Sequence, residues 1–236
     1  AALATAFCID SLGVAVDMGR CSAGLAVQNH VLLTHCHSDH VAGLVAWLSA
    51  HTRRFQGATT RIILPADRRD ALLQALQIWP ELDGVRRRVD LTKVLEGARA
   101  GDRTELESGV WAQAFDVHHS VPSVGWAIGT DQSDRPLFAF AGDGTVEPFT
   151  RHPATLDAEI AIVDCSFVDP GTRVAARLGG HGHLQDWIEL HPRLRCDILV
   201  LAHLPANTVV GDITDRLAGL TDEGPTVIPW LDPDRR

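Results

Sequence analysis

Short apolar, β-rich runs alternate along this chain with stretches in which apolar positions recur every three or four residues. The runs "VAVDMG" (14–19), "HVLLTH" (30–35), "RIILP" (61–65), "LFAFAGD" (137–143), "EIAIVDC" (159–165), "DILVLAH" (197–203) and "TVIPW" (226–230) predict strands. Most of them finish on or beside Asp, Cys or His. Polar side chains set repeatedly where a buried strand stops predict a site built at strand ends, on loops held by a rigid sheet.

Helical spacing predicts helices over "HVAGLVAWLSAHTRRF" (40–55), "ADRRDALLQALQIW" (66–79) and "LQDWIELHPRL" (184–194), with Pro80 and Pro192 marking the ends of the last two. The segment "DVHHSVPSVGWAIG" (116–129) predicts two β segments around a turn. "GTDQSDRP" (129–136) predicts a hairpin connection, and "VDPGTRVAARLGGHG" (168–182) a flexible surface segment. With strands and helices mixed throughout, and neither a long linker nor a repeat, the expected architecture is a single layered α/β domain over 1–236.

Composition narrows the picture. The 236 residues are 45% hydrophobic and 22% charged, the balance of a globular protein large enough to bury a core without crosslinks. The formal net charge of -9 argues against nonspecific attraction to a polyanion, which Lys and Arg normally drive. Arg53-Arg54, Arg68-Arg69 and Arg86-Arg87-Arg88 are local exceptions, expected to be solvated faces of helices and loops. The five cysteines (Cys8, Cys21, Cys36, Cys165, Cys196) are odd in number and scattered, so neither a disulfide framework nor a zinc knuckle is expected. A reducing, cytoplasmic setting fits them. No apolar stretch approaches membrane-spanning length, and the opening "AALATAFCID" has no basic lead of a signal peptide, although a chain beginning without Met can be processed or trimmed.

The stretch "THCHSDH" (34–40) puts three imidazoles and a carboxylate into seven residues, at what the pattern makes a strand-to-helix turn. Neutral imidazole nitrogens and carboxylate oxygens are zinc ligands. His35, His37, Asp39 and His40 are too many for one ion that keeps a position open for water. Splayed from a turn, they can address two ions about 3.5–4 Å apart. The alternative is a polar loop capping a helix, with Ser38 or Asp39 as the N-cap. Eight of the twelve histidines (35, 37, 40, 118, 119, 181, 183, 203) fall in four regions; His30, His51, His152 and His191 are expected to be structural. Of the adjacent His118 and His119, strand alternation admits one to a site, and His119, directly before "SVP", is the choice. The same alternation turns Cys36 away from the cluster.

His-x-His-x-Asp-His after an apolar strand resembles the signature of the metallo-β-lactamase superfamily. That resemblance implies an α/β, four-layer αββα sandwich with a dinuclear site for two divalent metal ions, most often Zn2+, with Mn2+ and Fe as alternatives. It implies three further ligands in order along the chain, which His119, Asp143 in "FAFAGDGT" and His203 in "ILVLAHL" supply. His35, His37 and His119 would then hold one ion, Asp39, His40 and His203 the other, and Asp143 would bridge them.

"HSVPSVGWAIG" is similar to the third-ligand segment of the ribonuclease Z branch, which cleaves phosphodiesters, including the 3′ trailer of precursor tRNA. "AEIAIVDCSF" (158–167) sits where that branch has its Glu, placing Asp164 there. "GGHGHLQDW" (179–187) offers His181 or His183 as its catalytic histidine, and His183 is preferred because "GHLQD" opens an amphipathic helix. The resemblance thus implies catalytic roles for Asp39, Asp164 and His183. The carboxylate would orient the ring and keep it protonated toward a leaving alkoxide.

The branch's long tRNA-gripping arm, between the third His and the bridging Asp, is replaced here by a short hairpin. With the acidic balance, no Tyr, and 6% aromatics to stack bases, the expected substrate is a small or single-stranded phosphodiester rather than tRNA. Two rivals remain: a hydrolase of a carboxylic ester, lactone, thioester or sulfate ester, and a non-catalytic metal-bearing domain binding a nucleotide or a protein. The resemblance also implies a homodimer.

Overall fold

The computed structural model describes residues 4–54, 60–84, 89–107, 109–205, 207–220 and 223–230. It divides into two compact units, Leu3–Arg99 and Ala100–Arg236.

The first unit carries a five-stranded sheet in the order β1-β2-β3-β4-β5. Its strands are β1 (Phe7–Ile9), β2 (Val14–Val16), β3 (His30–Leu32), β4 (Arg61–Pro65) and β5 (Leu95–Ala98). β1 returns antiparallel to β2 through Gly13, and the other neighbours are parallel. The helices are α1 (Ser38–Val41), α2 (Leu44–Arg54), α3 (Arg69–Asp83) and α4 (Leu91–Val94). Leu44, Trp47, Leu48 and His51, spaced for one helical face, bury α2 against Val31, Leu33, Ile62 and Leu64 of the sheet.

The continuous helix expected over 40–55 is broken at Ala42-Gly43, with Phe55 outside the described residues. Contact with the backbone of residues 18–20 explains the break. The Gly43 N–H donates to the Met18 carbonyl, and a Cβ on Gly43 would lie 2.5 Å from the Arg20 carbonyl carbon. Pro80 does not end α3. It lies inside the helix at the cost of one backbone donor, and the helix stops at Gly84, left-handed at φ 67 and donating to the Pro80 carbonyl.

Arg69 is no solvated charge: it donates to the carbonyls of Leu95 and Thr92, tying α3 to β5 and α4. Arg86-Arg87-Arg88, and the side chains of Arg53 and Arg54, lie outside the described residues.

The second unit carries a seven-stranded sheet in the order β12-β11-β10-β9-β8-β7-β6. An antiparallel meander, β6 (Arg103–Glu105), β7 (Val110–Asp116), β8 (Val124–Thr130) and β9 (Phe138–Phe140), feeds a parallel half of β10 (Ile160–Asp164), β11 (Ile198–Ala202) and β12 (Thr226–Pro229). Residues 131–137 make the expected hairpin connection. Helices α5 (Glu147–Arg151), α6 (Arg173–Gly179), α7 (Leu184–Leu190) and α8 (Val210–Leu217) complete the unit. The core joins Phe149 and Trp187, ring centroids 5.8 Å apart, to Leu156, Val163, Leu184 and Leu201.

Residues 168–182, expected to be a flexible surface segment, contain α6. Its "RVAARL" positions are helix-forming, and Gly180, left-handed at φ 73, closes it. Among the described residues no helix is long and apolar enough to cross a membrane, and all five cysteines are free thiols.

Trp47 is fully buried and donates its indole N–H to the Leu25 carbonyl at 3.1 Å. Trp47→Ala is predicted to cost roughly 3–5 kcal/mol through the cavity and the orphaned carbonyl, read as a lower denaturation midpoint.

Candidate metal centre

In the first unit the ligand-type residues sit on the turn between β3 and α1. The turn is strapped down by backbone bonds, Thr5 N–H to the Asp39 carbonyl at 2.6 Å and Met18 N–H to the His40 carbonyl at 2.7 Å. Glycine is required opposite it, because a Cβ on Gly19 would lie 1.7 Å from the Asp39 carbonyl oxygen. His37 occupies the N-cap position of α1 with no side-chain cap bond, so Ser38 and Asp39 are not capping there.

Asp17, buried at the end of β2 with φ 58, organises the imidazoles. One carboxylate oxygen accepts from His40 Nδ1–H at 2.8 Å; the two oxygens together accept the Thr34 N–H and hydroxyl. With its hydrogen committed to Asp17, Thr34 Oγ1 accepts from His35 Nδ1–H at 3.1 Å. His35 and His40 therefore carry their lone pairs on Nε2. His35 Nε2 lies 3.1 Å from His37 Nδ1, and His40 Nε2 lies 3.7 Å from an Asp39 oxygen.

In the second unit the parallel register aligns strand ends. Asp164 pairs with Ala202 across β10 and β11, so His203 emerges beside it at φ 59, and Asp143 follows β9. Ligand atoms of Asp143, His181 and His203 lie within 4.8 Å of one another. Asp143 Oδ2 is 3.5 Å from His203 Nε2. His119 lies in the loop after β7 and donates from Nδ1 to the Gly180 carbonyl at 2.7 Å, which puts its lone pair on Nε2 too. Its ring stands edge-on to His181 at 5.1 Å. The neighbouring His118 points elsewhere, exposed beside Thr145 and Glu147.

The donor set fits a zinc-type ion. Two ligands on a tetrahedral zinc at about 2.0–2.1 Å lie about 3.3 Å apart. The pairs His35–His37, His40–Asp39 and His203–Asp143, at 3.1, 3.7 and 3.5 Å, are near that spacing. Imidazoles whose far nitrogen is held by a carboxylate, hydroxyl or carbonyl are the usual form of such ligands. Cys36 packs instead against the core of its unit, and burial, aided by the charge of Asp17, pushes its thiol up to about 11.

The pairing of Asp164 differs from expectation. His183 is fully buried; its Nδ1 accepts from the Gln185 N–H as the N-cap of α7, and its Nε2 donates to the Asp169 carbonyl. It is used up as a structural cap. His181 takes the expected place, with Nδ1 2.7 Å from Asp164 Oδ2. The Gly144 and Gly182 N–H groups hold the same oxygen at 3.2 Å each. A Cβ on Gly182 would fall 2.0 Å from the Asp164 carbonyl oxygen. Only glycine lets the loop bring His181 in. Burial opposes protonation of His181, but the bond and charge of Asp164, with Asp143 farther off, outweigh it and raise the ring pKa.

Sequence reasoning missed Asp17, Thr34 and Gly180 as orienting groups; only the strand-end position of Asp17 signalled it. The other histidines expected to be structural include His51, stacked on Trp47, and His191, which donates to the Pro225 carbonyl.

A sequence model described as the beta-lactamase superfamily domain matches residues 19–204. The chain belongs to the metallo-β-lactamase superfamily. Among its relatives are two proteins of Arabidopsis thaliana. One is tRNase Z TRZ2, chloroplastic, 24% identical over 92% of this chain and 68% of that protein; the other is tRNase Z TRZ1, 22% identical over 92% and 86%. The crystal structure of human tRNase Z, short form (ELAC1), superposes with a TM-score of 0.69 at 19% identity, covering 97% of this chain and 90% of that one. The α/β metallo-β-lactamase fold class expected from the sequence is thus that of this chain, and the relatives it is similar to are of the ribonuclease Z-like branch that its third-ligand segment resembles.

Removing the Asp164 charge leaves burial opposed only by the more distant Asp143. In chelator-treated protein, the His181 ring protons, followed by NMR, are predicted to titrate above the ordinary histidine value in the wild type and below it in Asp164→Asn.

Proposed function

We propose that the two units act as one domain, a dinuclear zinc-dependent phosphodiesterase. In this reading His35, His37 and His119 would hold one ion and Asp39, His40 and His203 the other, with Asp143 as a ligand to both. The superfamily match runs unbroken through both units, from residue 19 to 204, and the tied Nδ1 groups leave ligand nitrogens with lone pairs in each. When bound, the ions supply Lewis acidity and a water that ionises near neutral pH.

The chain's own groups do the rest. Asp39 orients the attacking water. Asp164 keeps His181 protonated, and His181 Nε2–H gives its proton to the departing oxygen. The observation that carries this reading is the 2.7 Å Asp164–His181 pair beside Asp143 and His203, because a poor alkoxide leaving group needs a proton that an activated aryl ester does not. His183, committed to its cap, has no part in the step.

The substrate proposed is a small or single-stranded phosphodiester. The names of the Arabidopsis relatives point to tRNA as theirs. Here the stretch between His119 and Asp143 consists of β8, a short connection and β9, with no arm, and the net charge is -9. Five free thiols support the cytoplasm as its place.

Initial rates of the zinc-loaded chain on a bis-aryl phosphate, an aryl ester, a lactone and precursor tRNA test the reading. The diester is predicted to turn over fastest; rapid lactone turnover with none of the diester would defeat it. On an alkyl phosphodiester, His181→Ala is predicted to lower kcat about 10²–10⁴-fold with metal retained. His183→Ala should instead lower thermal stability.

A further inference from the structure

Asp164 meets more than one imidazole. Its Oδ2 accepts from His181 Nδ1–H, while its Oδ1 accepts from the Ser166 N–H at 2.8 Å and from the Ser166 hydroxyl at 2.5 Å. The same hydroxyl oxygen stands 2.7 Å from His203 Nδ1. A serine hydroxyl has one hydrogen, and a carboxylate can only accept. The hydrogen therefore goes to Asp164, and Ser166 Oγ accepts from His203 Nδ1–H. The contact of Ser166 Oγ with His181 Nδ1, at 3.4 Å, is the longest of the set, and that nitrogen's proton already points at Oδ2.

His203 lies one residue past the end of β11 and sits at φ 59. We propose that Ser166 is the positioning residue for His203. Its hydroxyl relays the charge of Asp164 to the ring, fixes the Nδ1–H tautomer and aims Nε2 at the metal. This rests on the reading of His203 as a ligand. One carboxylate then serves two tasks, orienting the proton donor His181 directly and the ligand His203 through Ser166.

The test uses the full chain, zinc alone as the probe, and competition with a chromophoric chelator, comparing wild type with Ser166→Ala, Ser166→Thr and His203→Ala. Ser166→Ala is expected to weaken one of the two ions about 10–100-fold and leave the other unchanged. Ser166→Thr, which keeps the hydroxyl, should restore binding to within a few-fold of wild type, which also separates a lost hydrogen bond from a misfolded chain. Wild-type affinity for both ions in Ser166→Ala overturns the proposal, as does a threonine variant as weak as the alanine one. His203→Ala distinguishes the failures: if it too binds both ions normally, the ligand reading itself has failed. If it loses an ion while Ser166→Ala does not, only the role of Ser166 has failed.

Discussion

An imidazole binds a metal through whichever nitrogen lacks a proton, so a histidine site depends on what holds the other nitrogen. Here four rings have Nδ1 committed as a donor: His40 to Asp17, His35 to Thr34, His119 to the Gly180 carbonyl and His203 to Ser166. Each leaves Nε2 with its lone pair in a direction fixed before any ion arrives. The acceptors are themselves satisfied, Thr34 by Asp17 and Ser166 by Asp164. Two buried carboxylates that are not themselves expected ligands thus set the chemistry of both units.

Those carboxylates are where they are because of the sheets. Asp17 ends β2 and Asp164 ends β10, each on a parallel strand whose neighbour in register delivers a histidine just beyond its own end. Parallel strands finish side by side, so residues distant in sequence meet along one edge. Close backbone approaches complete the placement. At Gly19 and Gly182 a methyl group would overlap the carbonyl oxygens of Asp39 and Asp164, and those two contacts bring in the turn of His37–His40 and the loop of His181.

Much of this was legible in the chain. The density of "THCHSDH" and the ordered recurrence of His119, Asp143 and His203 carried the site, because ligand chemistry at strand ends leaves a pattern that survives without coordinates. Most of the parallel strands were legible because they are largely apolar; β5, with Glu96 and Gly97 among its four residues, is the exception. β6 was not legible either: "RTE" is half-exposed and has no apolar signature. Pro80 misled because the helix carries the proline inside its last turn and ends on a glycine four residues later. The choice between His181 and His183 could not be made from spacing. They flank one glycine, and only the backbone shows that His183 caps α7 while His181 faces Asp164. Asp17 and Ser166 act through hydrogen bonds spanning 23 and 37 residues, and no periodicity records those.

The central proposal is that the seven ligand positions together hold two ions. Native mass spectrometry of the zinc-equilibrated full chain tests it most directly. Two zinc ions per chain are predicted, falling to one in His40→Ala, from the first unit, and to one in His119→Ala, from the second. A wild-type chain carrying no ion, or keeping two when either histidine is removed, would contradict it.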